Sequence, residues 1–196
     1  MLSLIFLPVF PSHYKQVNSK IIKKIVEKIA QYEYKPLKIE GFIESAVLIP
    51  LIEDKESILF IKRSSNVKDH KGQIAFPGGV ISESDSSPIE TALRETEEEV
   101  GVKPENIEPI NFIDDTITIA GYLIHPVVGL VRGNPEIFPN PDEVDQIFIV
   151  PIKDILSSEI REDPDRLSWE FHVNGITIWG ATARILKNLL DISGLI

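Results

Sequence analysis

A run of carboxylates at residues 94–101, Arg-Glu-Thr-Glu-Glu-Glu-Val-Gly, contains the residue types best suited to chemistry. On a helix, Glu95, Glu98 and Glu99 are three and four residues apart and share one face, whereas Glu97 points away. Their like charges repel one another, and near a helix end they also face the negative end of the helix dipole. Carboxylates placed against helix stability in this way fit a site for Mg²⁺ or Mn²⁺. The alternative is an ordinary solvated acidic helix face.

A glycine-containing turn precedes this helix. The segment Phe-Pro-Gly-Gly at residues 76–79 allows a tight bend and a close approach of the backbone to a ligand. Ser87 and Glu90 have the spacing of a capping box, with Pro88 at the first helical position. Gly101 is placed to end the helix in a left-handed conformation. The sequence therefore predicts a ligand-approaching loop that leads into a capped helix.

The loop and the helix together resemble the Nudix box of the Nudix hydrolases, Gly-x5-Glu-x7-Arg-Glu-U-x-Glu-Glu-x-Gly-U, where U is apolar. The matching residues are Gly79, Arg94, Glu95, Glu98, Glu99, Gly101 and Val102. Asp85 stands in place of the first Glu, one residue further from the Arg than the pattern has it, and Thr96 occupies an apolar position. These departures leave the carboxylate end intact and assign no role to Asp85.

A second motif, upstream, is similar to that of the coenzyme A pyrophosphatase branch, roughly Leu-Leu-Thr-x-Arg-Ser-x3-Arg-x3-Gly-x3-Phe-Pro-Gly-Gly. Arg63, Ser64, Gly72 and the Phe-Pro-Gly-Gly segment match at the right spacings. Lys68 replaces an Arg, which keeps the charge but loses the bidentate fork of the guanidinium. The likeness spans about residues 45–190.

The resemblance implies an enzyme that hydrolyses a nucleoside diphosphate linked to another moiety. For coenzyme A or acyl-CoA the products would be 3′,5′-ADP and 4′-phosphopantetheine. Water would attack phosphorus in line while metal ions neutralise charge on the phosphate oxygens. The first alternative is a Nudix diphosphatase acting on ADP-ribose or another nucleoside diphosphate derivative. The second is a non-catalytic Nudix-like binding module.

The resemblance also assigns roles to residues. Glu95, Glu98 and Glu99 would hold Mg²⁺ or Mn²⁺, and Arg94 would orient them through a salt bridge. The general base would be Glu98 or Glu143, the latter in a loop before a later strand, where a solvated carboxylate is the alternative. The candidates for contacts with the substrate and its phosphates are Arg63, Lys68, Gly78 and Gly79.

Some residues near these motifs are open to a simpler interpretation. Lys68 is as readily explained as a solvated loop charge as by phosphate binding. The aromatic residues Tyr122, Trp169 and Trp179 are expected in the core rather than as platforms for a nucleobase.

Composition bounds these hypotheses. With 196 residues, 43% of them hydrophobic and 26% charged, the chain fits one domain with a short appendage, not a disordered tail or a fibre. It has no cysteine, so a disulfide scaffold, a thiol nucleophile and a thiolate zinc site are excluded. The net charge of −10 argues against nucleic-acid binding. Residues 1–40 hold seven lysines against three acidic residues, so the acidic excess lies in residues 41–196.

The start of the chain gives no sign of export. Residues 1–10 are apolar but too short to span a bilayer, and they lack a basic start and a cleavage site. The expectation is a soluble cytoplasmic protein without a membrane span.

The pattern of elements predicts α/β or α+β layers around one sheet. The resemblance implies a Nudix-like α/β/α sandwich with a mixed central sheet in residues 41–196. Residues 1–40 are predicted to form an N-terminal segment with an amphipathic basic helix at 18–34. This helix packs on the body of the protein, docks on a second subunit in a homodimer, or lies on a membrane surface. Strands are predicted at 45–52, 57–63, 107–113, 122–131, 144–150, 167–173 and 176–179, and further helices at 88–100, 152–156 and 181–190.

Overall fold

The computed structural model describes residues 17–65, 72–163 and 168–196. The helices are α1 (Lys20–Ala30), α2 (Pro88–Val100), α3 (Ile152–Leu156) and α4 (Gly180–Ile192). The strands are β1 (Ile43–Ile52), β2 (Ser57–Arg63), β3 (Ile74–Ala75), β4 (Gly78–Val80), β5 (Ile107–Phe112), β6 (Thr116–Ile117), β7 (Tyr122–Val131), β8 (Val144–Pro151), β9 (Glu159–Asp163), β10 (Ser168–Val173) and β11 (Ile176–Ile178). Each predicted helix and strand is present; α2, α3, β2 and β7 have the predicted ends, and the others have shifted ends. The short strands β3, β4, β6 and β9 were not predicted.

The central sheet is mixed, in the order β3-β2-β1-β7-β5, with β4 also on β1, β6 on β7 and β8 on β2. Strands β1 and β7 run parallel along their whole lengths. They are buried on both faces, which explains their nearly continuous apolar sequences. Strands β1 and β2 form the predicted hairpin, but they pair only beside the turn, at Leu51↔Ile58 and Ile52↔Ser57. Further along, β1 pairs with β4 instead, which brings the Gly-Gly turn into the sheet.

Successive side chains of the central strands enter two different cores. Leu48 and Val127 belong to the core under α2, whereas their neighbours Ile49 and Val128 belong to the core under α1 and α4. This alternation follows from the two-residue repeat of a strand. Helices therefore cover both faces of the sheet, and the predicted α/β/α sandwich with a mixed central sheet is confirmed. A second, three-stranded sheet in the order β11-β10-β9 adds to the expected single sheet.

Helix α1 packs on the body of the protein. The hydroxyl of Ser19 accepts a hydrogen bond from the Ile22 amide and caps its start. Its apolar residues Ile22, Ile25, Val26 and Ile29 are fully buried in the core that α4 shares. Burial of this face agrees with packing on the body of the protein, the first of the alternatives predicted for α1. The domain boundary at residues 40 and 41 and the homodimer stay predictions. None of the helices in the described ranges has the length and apolar composition needed to cross a bilayer.

Candidate active site

Helix α2 has clear start and end signals. The hydroxyl of Ser87 accepts a hydrogen bond of 3.3 Å from the Glu90 amide. The Glu90 carboxylate accepts from the amide and hydroxyl of Ser86, so the second half of the capping box is shifted by one residue. Gly101 ends the helix at φ 73°, and its amide donates to the Glu97 carbonyl. These signals fix which turn of α2 carries each carboxylate.

A cavity of about 770 Å³ opens beside the last turns of α2. One part of its lining, here called the carboxylate wall, consists of Arg63, Glu95, Glu99 and Glu143. These four residues come from β2, α2 and the loop before β8. Gly78 and Gly79 of β4 line the cavity beside them. The fold thus gathers residues separated by up to 80 positions in the sequence.

Glu99 is the most deeply buried member of the carboxylate wall, with 1% of its side chain exposed. One of its oxygens accepts a hydrogen bond of 3.0 Å from the Gly78 amide, and the other lies 3.6 Å from a terminal nitrogen of Arg63. Burial raises the pKa of the Glu99 carboxyl to about 8. The Gly78 amide and Arg63 oppose this rise, whereas the charges of Glu95 and Glu143 add to it. A cation bound here would offset both the cost of burying this carboxylate and the repulsion from its acidic neighbours.

Glycine is required where the backbone of β4 passes the carboxylates. A Cβ atom built on Gly79 would lie 2.5 Å from a carboxylate oxygen of Glu95, and one on Gly78 would lie 2.6 Å from the Cα of Val47. At Gly78 the obstacle is backbone, so no side chain fits, whereas a side chain at Gly79 would displace the Glu95 carboxylate. The Gly-Gly turn therefore lies close to the sheet and to the carboxylate wall, and its predicted approach to a ligand stays a prediction.

Arg94 lies outside the cavity lining and joins three carboxylates, one of which, Glu95, belongs to the carboxylate wall. Its guanidinium donates to Glu95 at 2.8 Å and to Glu98 at 3.2 Å. It also holds Asp85 at two points, Nε to Oδ1 at 3.1 Å and Nη2 to Oδ2 at 2.9 Å. The hydrogen bonds from Arg94 keep the pKa of Asp85 well below its usual range, with help from the Ser82 amide. The salt-bridge role of Arg94 that the family resemblance implies is thus present in its geometry.

Asp85 is the functional residue that the sequence left without a role. The signal for it was its place in the motif, where an acidic residue is expected, and the extra residue before Arg94 obscured it. The loop accommodates the extra residue between Asp85 and Arg94. Asp85 also accepts hydrogen bonds from the Ser82 amide and the Thr91 hydroxyl, and these hold it within reach of Arg94. Thr96, at the apolar position of the motif, is buried and donates its hydroxyl to the Ala92 carbonyl at 2.6 Å. Both departures are therefore accommodated without disturbing the carboxylate end.

Backbone contacts bring Glu143 to the carboxylate wall. The Ser64 amide donates to the Glu143 carbonyl at 2.8 Å, and Arg63 pairs with Val144 at the end of the β2–β8 ladder. The amide of Asn140 donates to the Glu99 carbonyl, which ties the same loop to the end of α2. Glu143 lines the cavity, and its charge contributes to raising the pKa values of Glu95 and Glu99.

Aromatic residues form another part of the cavity lining, here called the aromatic wall: Tyr122, Trp169 and Trp179. Trp179 is 42% exposed, and the ammonium of Lys187 lies 5.4 Å from the ring centre of Trp169. The expectation that these rings belong to the core was wrong for Trp179, whereas Trp169 is partly buried and packs against the core under α1 and α4. Tyr122 is partly buried at the cavity. Tyr122 lies in β7, Trp169 in β10, and Trp179 directly before α4. Only the packing of these elements brings the three residues to one cavity, so local sequence does not reveal it.

The predicted site residues divide into three groups. The structure brings Arg63, Gly78, Gly79, Glu95, Glu99 and Glu143 together on the cavity lining. Glu98 and Arg94 lie beside them and outside the lining, where Glu98 is half exposed and bonded to Arg94. Lys68 falls outside the described residues.

The acidic side chains of this group, Glu95, Glu98, Glu99 and Glu143, fit a hard divalent cation, because all four offer oxygen and the most buried of them has acidic neighbours. Over residues 17–65, 72–163 and 168–196, no three His, Cys, Asp or Glu side chains already enclose a point where an ion could sit. Arg94 holds Glu95 and Glu98 in hydrogen bonds. The assignment of Glu95, Glu98 and Glu99 as metal ligands stays a prediction.

Comparisons with known proteins bear on the family to which the chain belongs. The model of the NUDIX domain matches residues 43–170. Proteins named Uncharacterized Nudix hydrolase NudL are similar in sequence. The one from Pectobacterium atrosepticum is 34% identical over 155 residues, and the one from Citrobacter koseri is 36% identical over 157 residues. Each alignment covers 74% of this chain and 80% of the relative.

Among solved structures, the C. elegans Ap4A hydrolase in a binary complex is 15% identical, with a TM-score of 0.49 over 58% of this chain and 83% of that one. The extent of the domain match and the identity to the NudL proteins together identify the family. The chain belongs to the Nudix family and is a Nudix hydrolase.

Proposed function

We propose that this Nudix hydrolase cleaves the diphosphate linkage of coenzyme A or acyl-CoA to 3′,5′-ADP and 4′-phosphopantetheine or its acyl form. The observation that carries the proposal is that the carboxylate wall and the aromatic wall line one and the same cavity. A diphosphate that bears a nucleoside and a long uncharged arm needs both kinds of surface. Arg63 and Phe76, both from the motif similar to the coenzyme A branch, line this cavity.

Glu95, Glu98 and Glu99 are the proposed ligands of Mg²⁺ or Mn²⁺. Such an ion would supply charge neutralisation at the phosphate oxygens and would lower the pKa of the attacking water. Binding would require Glu98 to exchange its hydrogen bond with Arg94 for the ion. Arg94 and Asp85 would then keep the remaining carboxylate geometry fixed.

Protein side chains would supply the remaining steps. Arg63, whose Nε is buried and makes no hydrogen bond to any described residue, would turn part of its guanidinium toward a phosphate oxygen. Glu143 would accept the proton of the attacking water as the new phosphorus–oxygen bond forms and the bridging bond breaks. Glu98 is the alternative base. Gly78 and Gly79 would let the diphosphate approach the backbone of β4.

The direct test is hydrolysis by the purified protein with Mg²⁺ or Mn²⁺ and a panel of coenzyme A, acyl-CoA, ADP-ribose, NADH and deoxynucleoside triphosphates. We expect the highest kcat/KM for coenzyme A or acyl-CoA, with 3′,5′-ADP among the products. The variant Glu99→Gln, prepared in parallel, detects any contaminating hydrolase. A preference for ADP-ribose would overturn the coenzyme A assignment, and no turnover of any compound would overturn the diphosphatase activity.

A further inference from the structure

Arg184 is a cation of the cavity lining that the proposed chemistry does not use. It lies in the first turns of α4 and contributes to the same 770 Å³ cavity as the carboxylate wall. Its Nη2 donates to the Ile117 carbonyl at 2.5 Å, which anchors the guanidinium beside β6. Its Nε is buried and finds no hydrogen-bond partner in the described part of the chain.

The other arginines of the described residues are all close to carboxylates. Each has an acidic oxygen within 4.0 Å, as seen for Arg63, Arg94, Arg132 and Arg161. For Arg184, none of the residues in the described ranges supplies such a contact. Burial without a compensating anion lowers the pKa of its guanidinium. A partly desolvated cation with an unused donor is costly unless a ligand supplies the missing charge.

Two neighbouring features leave this donor available to a ligand. Of the acidic residues that share the lining, the Glu170 carboxylate is 3.3 Å from His172, and Asp163 is engaged in an interaction of its own. Helix α4 starts at Trp179 without a side-chain cap from any described residue, and Ala181 and Thr182 of its first turn also line the cavity. The positive end of a 13-residue helix thus opens beside Arg184 and favours the same sign of ligand charge.

We propose that Arg184 binds a second anionic group of the substrate, a phosphate monoester separate from the diphosphate that is cleaved. Arg184 comes from α4 and is tethered to β6, whereas the carboxylate wall is built from α2, β2 and the loop before β8. One substrate therefore meets two cationic positions on different elements. This inference rests on the proposed function, because coenzyme A carries such a phosphate on the 3′ oxygen of its ribose and ADP-ribose does not.

The test compares coenzyme A with dephospho-coenzyme A, which lacks only the 3′-phosphate. For Arg184→Gln we expect KM for coenzyme A to rise on the order of 10- to 100-fold, the range for a hydrogen bond to a charged group. KM for dephospho-coenzyme A should change less than about twofold, because that substrate has no group for the arginine to hold. Arg184→Lys should recover part of the loss. Arg161→Gln, an exposed arginine outside the cavity, is the matched control and should leave both KM values unchanged.

A binding measurement separates this inference from the proposed activity. Without metal and without turnover, titration calorimetry should show 3′,5′-ADP binding wild type more tightly than AMP, with the difference lost in Arg184→Gln. Equal losses for both substrates, or for both nucleotides, would mean that Arg184 acts only through its bond to Ile117, and would overturn the inference. A wild type that hydrolyses nothing but discriminates the two nucleotides would overturn the proposed activity and leave the anion site standing.

Discussion

Asp85 and Arg94 form a two-point ion pair across the loop and helix of the Nudix box, with nitrogen–oxygen distances of 3.1 and 2.9 Å. The same guanidinium reaches Glu95 and Glu98, so Asp85 fixes an arginine that in turn fixes two carboxylates. Asp85 is therefore a positioning residue. Its contribution to the site passes through Arg94.

The variant Asp85→Asn tests this chain of contacts. Asn keeps an acceptor for the Ser82 amide but removes the charge that holds the arginine. Loss of such a supporting partner weakens metal affinity or activity by about 10- to 100-fold in metal sites. We expect the Mg²⁺ concentration for half-maximal activity to rise by about that factor. Glu97→Gln, an exposed change on the same helix, is the control. A fall in kcat with an unchanged Mg²⁺ requirement would show that Asp85 does not act through the carboxylates.

Glu98→Gln and Glu99→Gln should each lose nearly all turnover and yet melt no lower than wild type in EDTA. For Glu98 the reason is the repulsion among the like charges of α2 when no cation is present. For Glu99 the reason is that burial makes the charged carboxylate costly, and Gln carries no charge. In Glu99→Gln the amide oxygen can still accept from Gly78. Turnover is measured with coenzyme A and stability by thermal unfolding. Melting temperatures several degrees lower in both variants would indicate a structural network instead of a metal site.

The metal-free protein should lose stability as pH rises from about 4.5 to about 8 through the titration of Glu99. In this window the folded protein retains a proton that the unfolded chain has released, so the free energy of unfolding falls with pH. One fully shifted group changes it by at most about 1.4 kcal/mol per pH unit. Urea unfolding in EDTA across this range should give a shallower pH slope for Glu99→Gln than for wild type. Parallel slopes for the two proteins would contradict the raised pKa of Glu99.

Glu143→Gln tests the assignment of the general base. If Glu143 accepts the proton of the attacking water, kcat should fall by about 10²- to 10⁴-fold while KM changes little. The residual rate should then rise with pH, because hydroxide replaces the base. Glu136→Gln, in the same inter-strand segment and outside the cavity lining, serves as the control. Retention of the wild-type pH profile in Glu143→Gln would favour Glu98 as the base.

Asn111→Ala should detach the segment that follows α1. The buried Asn111 amide donates to the Ile29 and Tyr32 carbonyls at 3.1 and 3.0 Å. Both carbonyls keep a backbone donor, the Tyr32 amide for Ile29 and the Tyr34 amide for Tyr32, so the variant removes two hydrogen bonds without leaving either carbonyl unpaired. At about 0.5–1.5 kcal/mol per hydrogen bond, we expect a loss of about 1–3 kcal/mol in urea unfolding. Asn188→Ala, which removes two solvent-exposed hydrogen bonds to Asp114, should cost about 1 kcal/mol or less. Similar losses in the two variants would show that α1 is not held through Asn111.

Local sequence determined much of the architecture because its signals act over a few residues. Strand β7 begins and ends at the predicted residues, and α2 ends at Gly101 as its left-handed glycine requires. The spacing of Glu95, Glu98 and Glu99 also follows from helix geometry alone. The family resemblance added the arginine network and the fold class, both of which are present.

Tertiary structure decided which of these side chains face the cavity. Glu99 and Glu98 are adjacent in sequence, yet one is 1% exposed and the other 50%, because the sheet covers only one side of α2. Glu143, Trp179 and Arg184 share a cavity with Glu99 only after β8, the small sheet and α4 have packed. Contacts between distant segments depend on how layers stack, and that information is spread over the whole core instead of any one motif.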